Sequence, residues 1–241
     1  MLWQQENDIM KRWLIRLHKW AALIIGLQVL AWVAGGLVMS AIPIERVRGE
    51  HNIAESAAAL DLAGVMAPQD AAARAGIMPS SAELRPWLGR TIYEFGREGE
   101  AALIVDAVSG EVLSPIDEQA AIEVARADYA GEPEIAAVTL FAEPTWESRR
   151  PGPSWRVDFA DGEGTRLYVS AATGEIIARR NDVWRIYDFF WMLHIMDYDD
   201  RSDFNHPLLI LASLFALGMS LFGFVLLFPW LGRMIARRRL D

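Results

Sequence analysis

The chain has 241 residues, 23 of them basic and 32 acidic, giving a formal net charge of −9. That acidic excess argues against nucleic acid as a partner. The absence of cysteine excludes disulfides, thiol catalysis and iron–sulfur ligation.

In chain order, Lys11, Arg12, Arg16 and Lys19 come first, followed by residues 20–44 with no Asp, Glu, Lys, Arg or His. A helix of about 20 apolar residues crosses a bilayer core of about 30 Å, so this run is expected to span. "VMSAIP" loosely suits a signal-peptidase site. The apolar run is too long for a typical signal core, however, and its small residues suit helix packing. An uncleaved anchor is the reading.

The middle of the chain contains a repeat at an offset of 64 positions: "LIVDAVSGEVLS" (Leu103–Ser114) lies over "LYVSAATGEIIA" (Leu167–Ala178). Upstream, "TIYEFGREGE" (Thr91–Glu100) lies over "WRVDFADGEG" (Trp155–Gly164). Each copy reads as alternating strand, glycine turn, strand, then a turn on Ser109-Gly110 or Thr173-Gly174. Helical stretches precede them, Pro68–Gly76 and Asp117–Tyr129, the second with Ala121, Val124, Ala125 and Asp128 near one face. Extended segments "AELRPWL" and "IAAVTLF" follow these helices, and Ala142–Ser154 is a Pro-rich loop. The segments are 44–116 for the first helix-plus-antiparallel-sheet module and 117–182 for the second. Modules so small bury little core alone and are expected to pack on each other.

Residues 183–206 read as an aromatic interfacial helix and an acidic turn, and 207–232 is the second uncharged run. Arg233, Arg237, Arg238 and Arg239 follow it. Basic residues at both outer ends place both termini in the cytoplasm and residues 44–206 across the membrane. With spans and tails set aside, 15 basic and 29 acidic residues remain, a net of −14 for the intervening segment.

The "D-x-x-(S/T)-G-E" hairpin after a short helix resembles the PepSY domain, present twice, with Ser170 where the first copy has Asp106. "RWLIRLHKWAALIIGLQVLAWVAGG" and "FFWMLHIMDYDDRSDFNHPLLILASLFALGMSLFGFVLL" resemble the PepSY-associated transmembrane helix family. The implied fold is α+β: two transmembrane helices, spanning residues 1–43 and 207–241 with their tails, flank a periplasmic tandem PepSY-like module in a bacterial inner membrane. Larger relatives with four spans resemble components of iron and siderophore uptake, some of them haem-bearing ferric reductases. This chain has two spans, which sets it apart from a self-contained reductase.

The four histidines divide by surroundings. His18, with Ala22 and Gly26 on its helical face, reads either as a haem ligand or as an interfacial residue where another helix packs closely. His194 sits in an apolar, aromatic helix and needs a partner, either a haem iron or Asp197 and the backbone. His206 is a weaker ligand candidate, in the first turn of the second span behind an Asn205 N-cap. His51 has no companions in sequence. An EF-hand register on Asp197–Leu208 fails at Ser202 and Leu208, leaving a solvated acidic turn as the default. A copper set of Met192, His194 and Met196 fails because alternate helical positions diverge.

Along a helix, residues 18 to 40 rise about 33 Å, so one chain cannot bring His18 and His194 to one iron. A symmetric dimer pairs each histidine with its copy, which would hold two b-type haems across the bilayer. The leading expectation is therefore haem-dependent electron transfer toward periplasmic ferric iron or a ferric siderophore. A protein or quinol would be the donor, since the chain has no glycine-rich phosphate loop. The alternatives are a non-catalytic module for a periplasmic protein or peptide, and an accessory subunit docking through Ala212, Ala216 and Ser220. No hydrolase motif occurs.

Overall fold

The structure is a computed structural model describing the backbone of residues 2–55, 59–132 and 134–238. Side chains are described at Trp13, Arg16, Lys19 and Trp20 and, among those residues, through 22–228 except Phe222 and Leu226. The order begins with α1 (Leu2–Ala41), α2 (Ile44–Arg48), a single 3-10 turn and α3 (Pro68–Ala75). Strands β1 (Ser81–Trp87), β2 (Arg90–Arg97) and β3 (Glu100–Asp106) precede α4 (Glu118–Asp128). Then come β4 (Ile135–Phe141), β5 (Ser154–Phe159), β6 (Arg166–Ser170), β7 (Ile176–Arg180), α5 (Asp182–Ile195) and α6 (Pro207–Arg238). The chain divides into two compact units, residues 43–186 and residues 1–42 with 187–241.

The first unit holds two antiparallel sheets, β1-β2-β3 and β4-β5-β6-β7. Strand alternation assigns the two faces of the first sheet. Tyr93, Phe95, Leu103 and Val105 pack on Ala71 and Ala72 of α3. Ile92 and Ile104, facing the other way, meet Ala121 and Val124 of α4 together with Val169 of β6. Helix α4 also covers the second sheet, where Ala125 and Tyr129 pack against Val157, Phe159 and Leu167. The Asp117 carboxylate caps α4, accepting from the Ala120 N–H at 2.8 Å.

The repeated turns are built alike. Asp106 accepts from the N–H groups of Val108 and Ser109, at 3.0 and 2.8 Å. Burial works to raise the Asp106 carboxyl, but these N–H bonds outweigh it and hold the group below its ordinary value. At the equivalent place Ser170 Oγ accepts from the Thr173 N–H at 3.2 Å. Gly110 and Gly174 both take positive φ, 76° and 66°. A Cβ on Gly174 would stand 2.5 Å from the Trp87 indole nitrogen, so the turn admits no side chain there.

On the second sheet's other face the loop between β4 and β5 lays Glu147 into an ionic network. Glu147 is buried and accepts from Tyr168 Oη at 2.7 Å, Arg185 Nε at 3.0 Å and Arg166 Nη1 at 3.1 Å. Burial alone would raise its carboxyl; the Tyr168 hydroxyl and the two guanidinium groups overcome that and lower it.

The second unit contains the two apolar helices. Within α1 and α6, Ala22–Ala41 and Pro207–Val225 are long and apolar enough to cross a membrane. Their side chains face outward almost throughout, as lipid-facing helices require. The helix before α6 ends at Ile195, where Met196 takes φ 56° and turns the chain.

Candidate functional site

The site is built where the end of α5 lies along α1. Gln28, Trp32 and Gly35 are spaced as one stripe on α1. Gln28 Nε2 donates to the Leu193 carbonyl at 3.3 Å, and Trp32 Nε1 donates to the His194 carbonyl at 2.9 Å. The last carbonyls of a helix lack intrahelical donors. In an apolar layer an unsatisfied one costs several kcal/mol, so α1 supplies the missing donors. At Gly35 the helices meet closely: an added Cβ would lie 3.4 Å from the Phe190 carbonyl and 3.8 Å from His194 Nδ1.

Gln28 is about 20 Å of helix rise from Ala41, so the end of α5 lies against α1 within the stretch Ala22–Ala41. The sequence signal was present: a lone amide inside an uncharged run, with an indole and a glycine on the same helical face. A stripe of that kind marks a helix partner able to receive hydrogen bonds.

His194 Nδ1 is buried and has no hydrogen-bond partner. The ring edge bearing Nδ1 and Cβ is the edge against Gly35, which leaves Nε2 as the nitrogen a metal would meet. Asp197 is not its partner. Asp197 Oδ2 accepts from the N–H groups of Ser202 and Asp203 at 2.9 and 3.0 Å, and Oδ1 accepts from Asp199 and Asp200, both at 3.3 Å. Those N–H groups, Asp203 and Ser202 foremost, hold the Asp197 carboxyl down to about 2.

The acidic turn folds back along α5. Trp191 Nε1 donates to the Arg201 carbonyl at 3.1 Å, and Arg201 Nη1 reaches Asp188 Oδ2 at 2.6 Å. Phe204 meets the Trp191 ring edge-on at 5.3 Å. Asp188 is buried, so this is an internal ion pair rather than surface decoration. Among the described residues no group of three or more His, Asp or Glu is placed to hold a metal ion.

The other histidines separate from His194. His206 directly precedes α6, which begins at Pro207, and its carbonyl accepts from the Ile210 N–H at 3.2 Å. The N-cap position therefore falls on His206, one residue later than the Asn205 reading; Asn205 N–H instead donates to Asp203 at 2.7 Å. His206 Nδ1 is likewise buried without a partner. His51 is not companionless, as the sequence suggested: its Nε2 lies 2.8 Å from Glu163 Oε2, across 112 positions of chain. The His18 backbone belongs to α1, and its side chain lies outside the described residues. Some 26 Å of helix rise separates its position from Gly35, so the structure does not bring His18 and His194 together within one chain.

With its Nδ1 edge against Gly35, the His194 imidazole is a residue that could hold a haem iron through Nε2, with any further ligand supplied from elsewhere. The family model described as the PepSY-associated TM region matches residues 15–240. No curated protein and no solved structure matches the chain.

Proposed function

The chain belongs to the PepSY-associated TM family, and from that premise we propose that it is an inner-membrane electron-transfer protein that holds haem b through His194. The observation that carries this reading is the placement of the His194 ring, whose Nδ1 edge lies against Gly35 and so leaves Nε2 for a ligand. Haem held there would supply one-electron redox chemistry.

The residues of this chain supply position. Trp32 and Gln28 fix the end of α5, which sets the height and rotation of His194. Gly35 leaves the space the ring occupies. The second ligand comes from a symmetric copy, His194 pairing with His194 and His18 with His18. In this arrangement both termini are cytoplasmic and residues 44–206 are periplasmic, with ferric iron or a ferric siderophore as acceptor.

An absorption spectrum of detergent-purified protein, oxidised and reduced, tests the reading. A Soret band that is lost on His194→Ala with the helical circular dichroism intact is the expected result. Protein expressed with ample haem yet showing no Soret band would sink it.

The binding-module reading has its own observation. Between α3 and the edge strand β1 lies an open groove of about 530 Å³, lined by Ala72, Ile77, Met78, Pro79 and Phe95. An extended periplasmic peptide adding to the β1 edge would place apolar side chains there. Retained binding of a periplasmic protein or peptide by a variant lacking both His18 and His194 would favour this second function.

A further inference from the structure

We propose that the open edge of β1 takes an extended peptide in which apolar residues alternate with lysine or arginine. The apolar side chains enter the groove beside α3, and a basic one between them meets Glu83. The proposal rests on the reading of that groove as a peptide site and narrows its occupant to one class of sequence.

The β1–β2 turn fixes which backbone groups face outward. Leu88 and Gly89 both take positive φ, 47° and 75°, as a two-residue type I′ turn requires. The pair flanking such a turn, here Trp87 with Arg90, is hydrogen-bonded, and bonded pairs then alternate along an antiparallel ladder. Arg85 with Ile92 and Glu83 with Glu94 therefore direct their backbone groups at β2. The far side of β2 agrees, since the Thr91 carbonyl there accepts from the Ala107 N–H at 2.9 Å. Ala82 and Leu84 are left with N–H and C=O groups turned to the edge, which no strand covers among the described residues. Pro86, without an N–H, ends the run of donors.

Side-chain alternation sorts the occupant by face. Ala82 lies opposite Phe95 and Leu84 opposite Tyr93. Leu84 packs with those rings against α3, while Ala82, Ile77 and Met78 line the groove. A strand paired to this edge sends every second side chain to that face. The residue between falls beside Glu83 on the opposite face, where Glu83 is exposed and paired with Glu94. Glu175 is also there, 4.0 Å from Arg85 Nε. Arg85 itself is engaged, by Glu94 at 2.9 Å and by the Thr173 carbonyl at 2.6 Å. Burial first, then Glu175 and Glu83, push the Glu94 carboxyl up against the pull of Arg85. Three carboxylates thus face one guanidinium. A cation in the added strand answers that excess, whereas an acidic residue would sit opposite like charge, which is destabilising.

The test is binding of short fluorescein-labelled peptides to the full-length protein in detergent, read by anisotropy. One peptide alternates valine with lysine, and a second carries glutamate in place of lysine. The lysine peptide is expected to bind several-fold more tightly. Glu83→Lys, at an exposed position, should cancel that preference. Ala82→Pro removes an outward N–H without touching the ladder to β2, and should abolish binding with circular dichroism unchanged. If Ala82→Pro loses its fold, the Glu83→Lys result decides alone. Equal affinity for the two peptides, or a preference indifferent to Glu83→Lys, overturns the inference; loss of both on folded Ala82→Pro would still leave the peptide groove standing. Binding indifferent to folded Ala82→Pro, or no binding at all, overturns both. Self-association that Ala82→Pro removes, with no peptide bound, would give the edge to a second copy of the chain and overturn both as well.

Discussion

Trp32 donates its indole N–H to the main-chain carbonyl of His194 at 2.9 Å, joining residues 162 positions apart. The bond is a side-chain cap for a helix that ends beside apolar surface. Losing one partner of a buried hydrogen bond costs about 1–3 kcal/mol. Trp32→Phe keeps the ring's bulk and is expected to lower the thermal midpoint in detergent. Gln28→Leu, which removes the longer 3.3 Å bond, should cost less. Thermal denaturation of both variants beside the parent checks the order.

Gly35 gives a graded test of the helix contact. An added Cβ would meet its neighbours at ordinary contact distance, so Gly35→Ala should be tolerated. Gly35→Leu must displace α5, with an overpacking cost of about 1–3 kcal/mol. If His194 holds haem, the same variant should weaken or shift the Soret band while Gly35→Ala leaves it in place.

Glu147 is the internal anion of the β4–β5 loop, facing Arg166 and Arg185. Breaking a buried ion pair by removing one partner costs about 3–5 kcal/mol. Glu147→Ala is therefore expected to be severely destabilising in a urea titration. Glu147→Gln, which retains acceptor geometry for Tyr168, should be milder.

The His51–Glu163 contact predicts an acid-side sensitivity. Hydrogen bonding from His51, then from Asn52, lowers the Glu163 carboxyl despite its partial burial. A carboxyl lowered in the folded state contributes stability above its unfolded value, and that contribution is lost as pH falls through the folded value. The effect is small because the Glu163 side chain is 41 % exposed. Carbon-detected NMR titration should show Glu163 moving upward in His51→Ala; an unchanged titration refutes the coupling.

Legibility in the sequence followed the range of the interactions. The alternation and turn residues of Thr91–Ser114 and of Trp155–Ala178 are local, and they predicted β2, β3, β5, β6 and β7. Asp117 and the Ala121–Val124–Ala125 face likewise announced α4. Even the exchange of Asp106 for Ser170 was readable, because either side chain accepts a bond from a turn N–H. Contacts closed by the tertiary fold were not readable. His51 finds Glu163 across 112 positions, and Gln28 finds Leu193 across 165. Asp197 was considered for His194, but its oxygens are taken by N–H groups that only the folded turn presents.

The folded-back acidic turn leaves the helix pair with unequal hydrophobic height. On the face of α1 that carries α5, the ionised carboxylate of Asp197 lies two residues beyond the Ile195 end of that helix. The stripe of α1 beside that end is Gln28–Trp32, while other faces of α1 continue apolar to Ala41. The face of α1 that carries α5 therefore has a shorter uninterrupted apolar length than its other faces. Mismatch of this kind is relieved by tilting or by local thinning, at fractions of a kcal/mol per ångström.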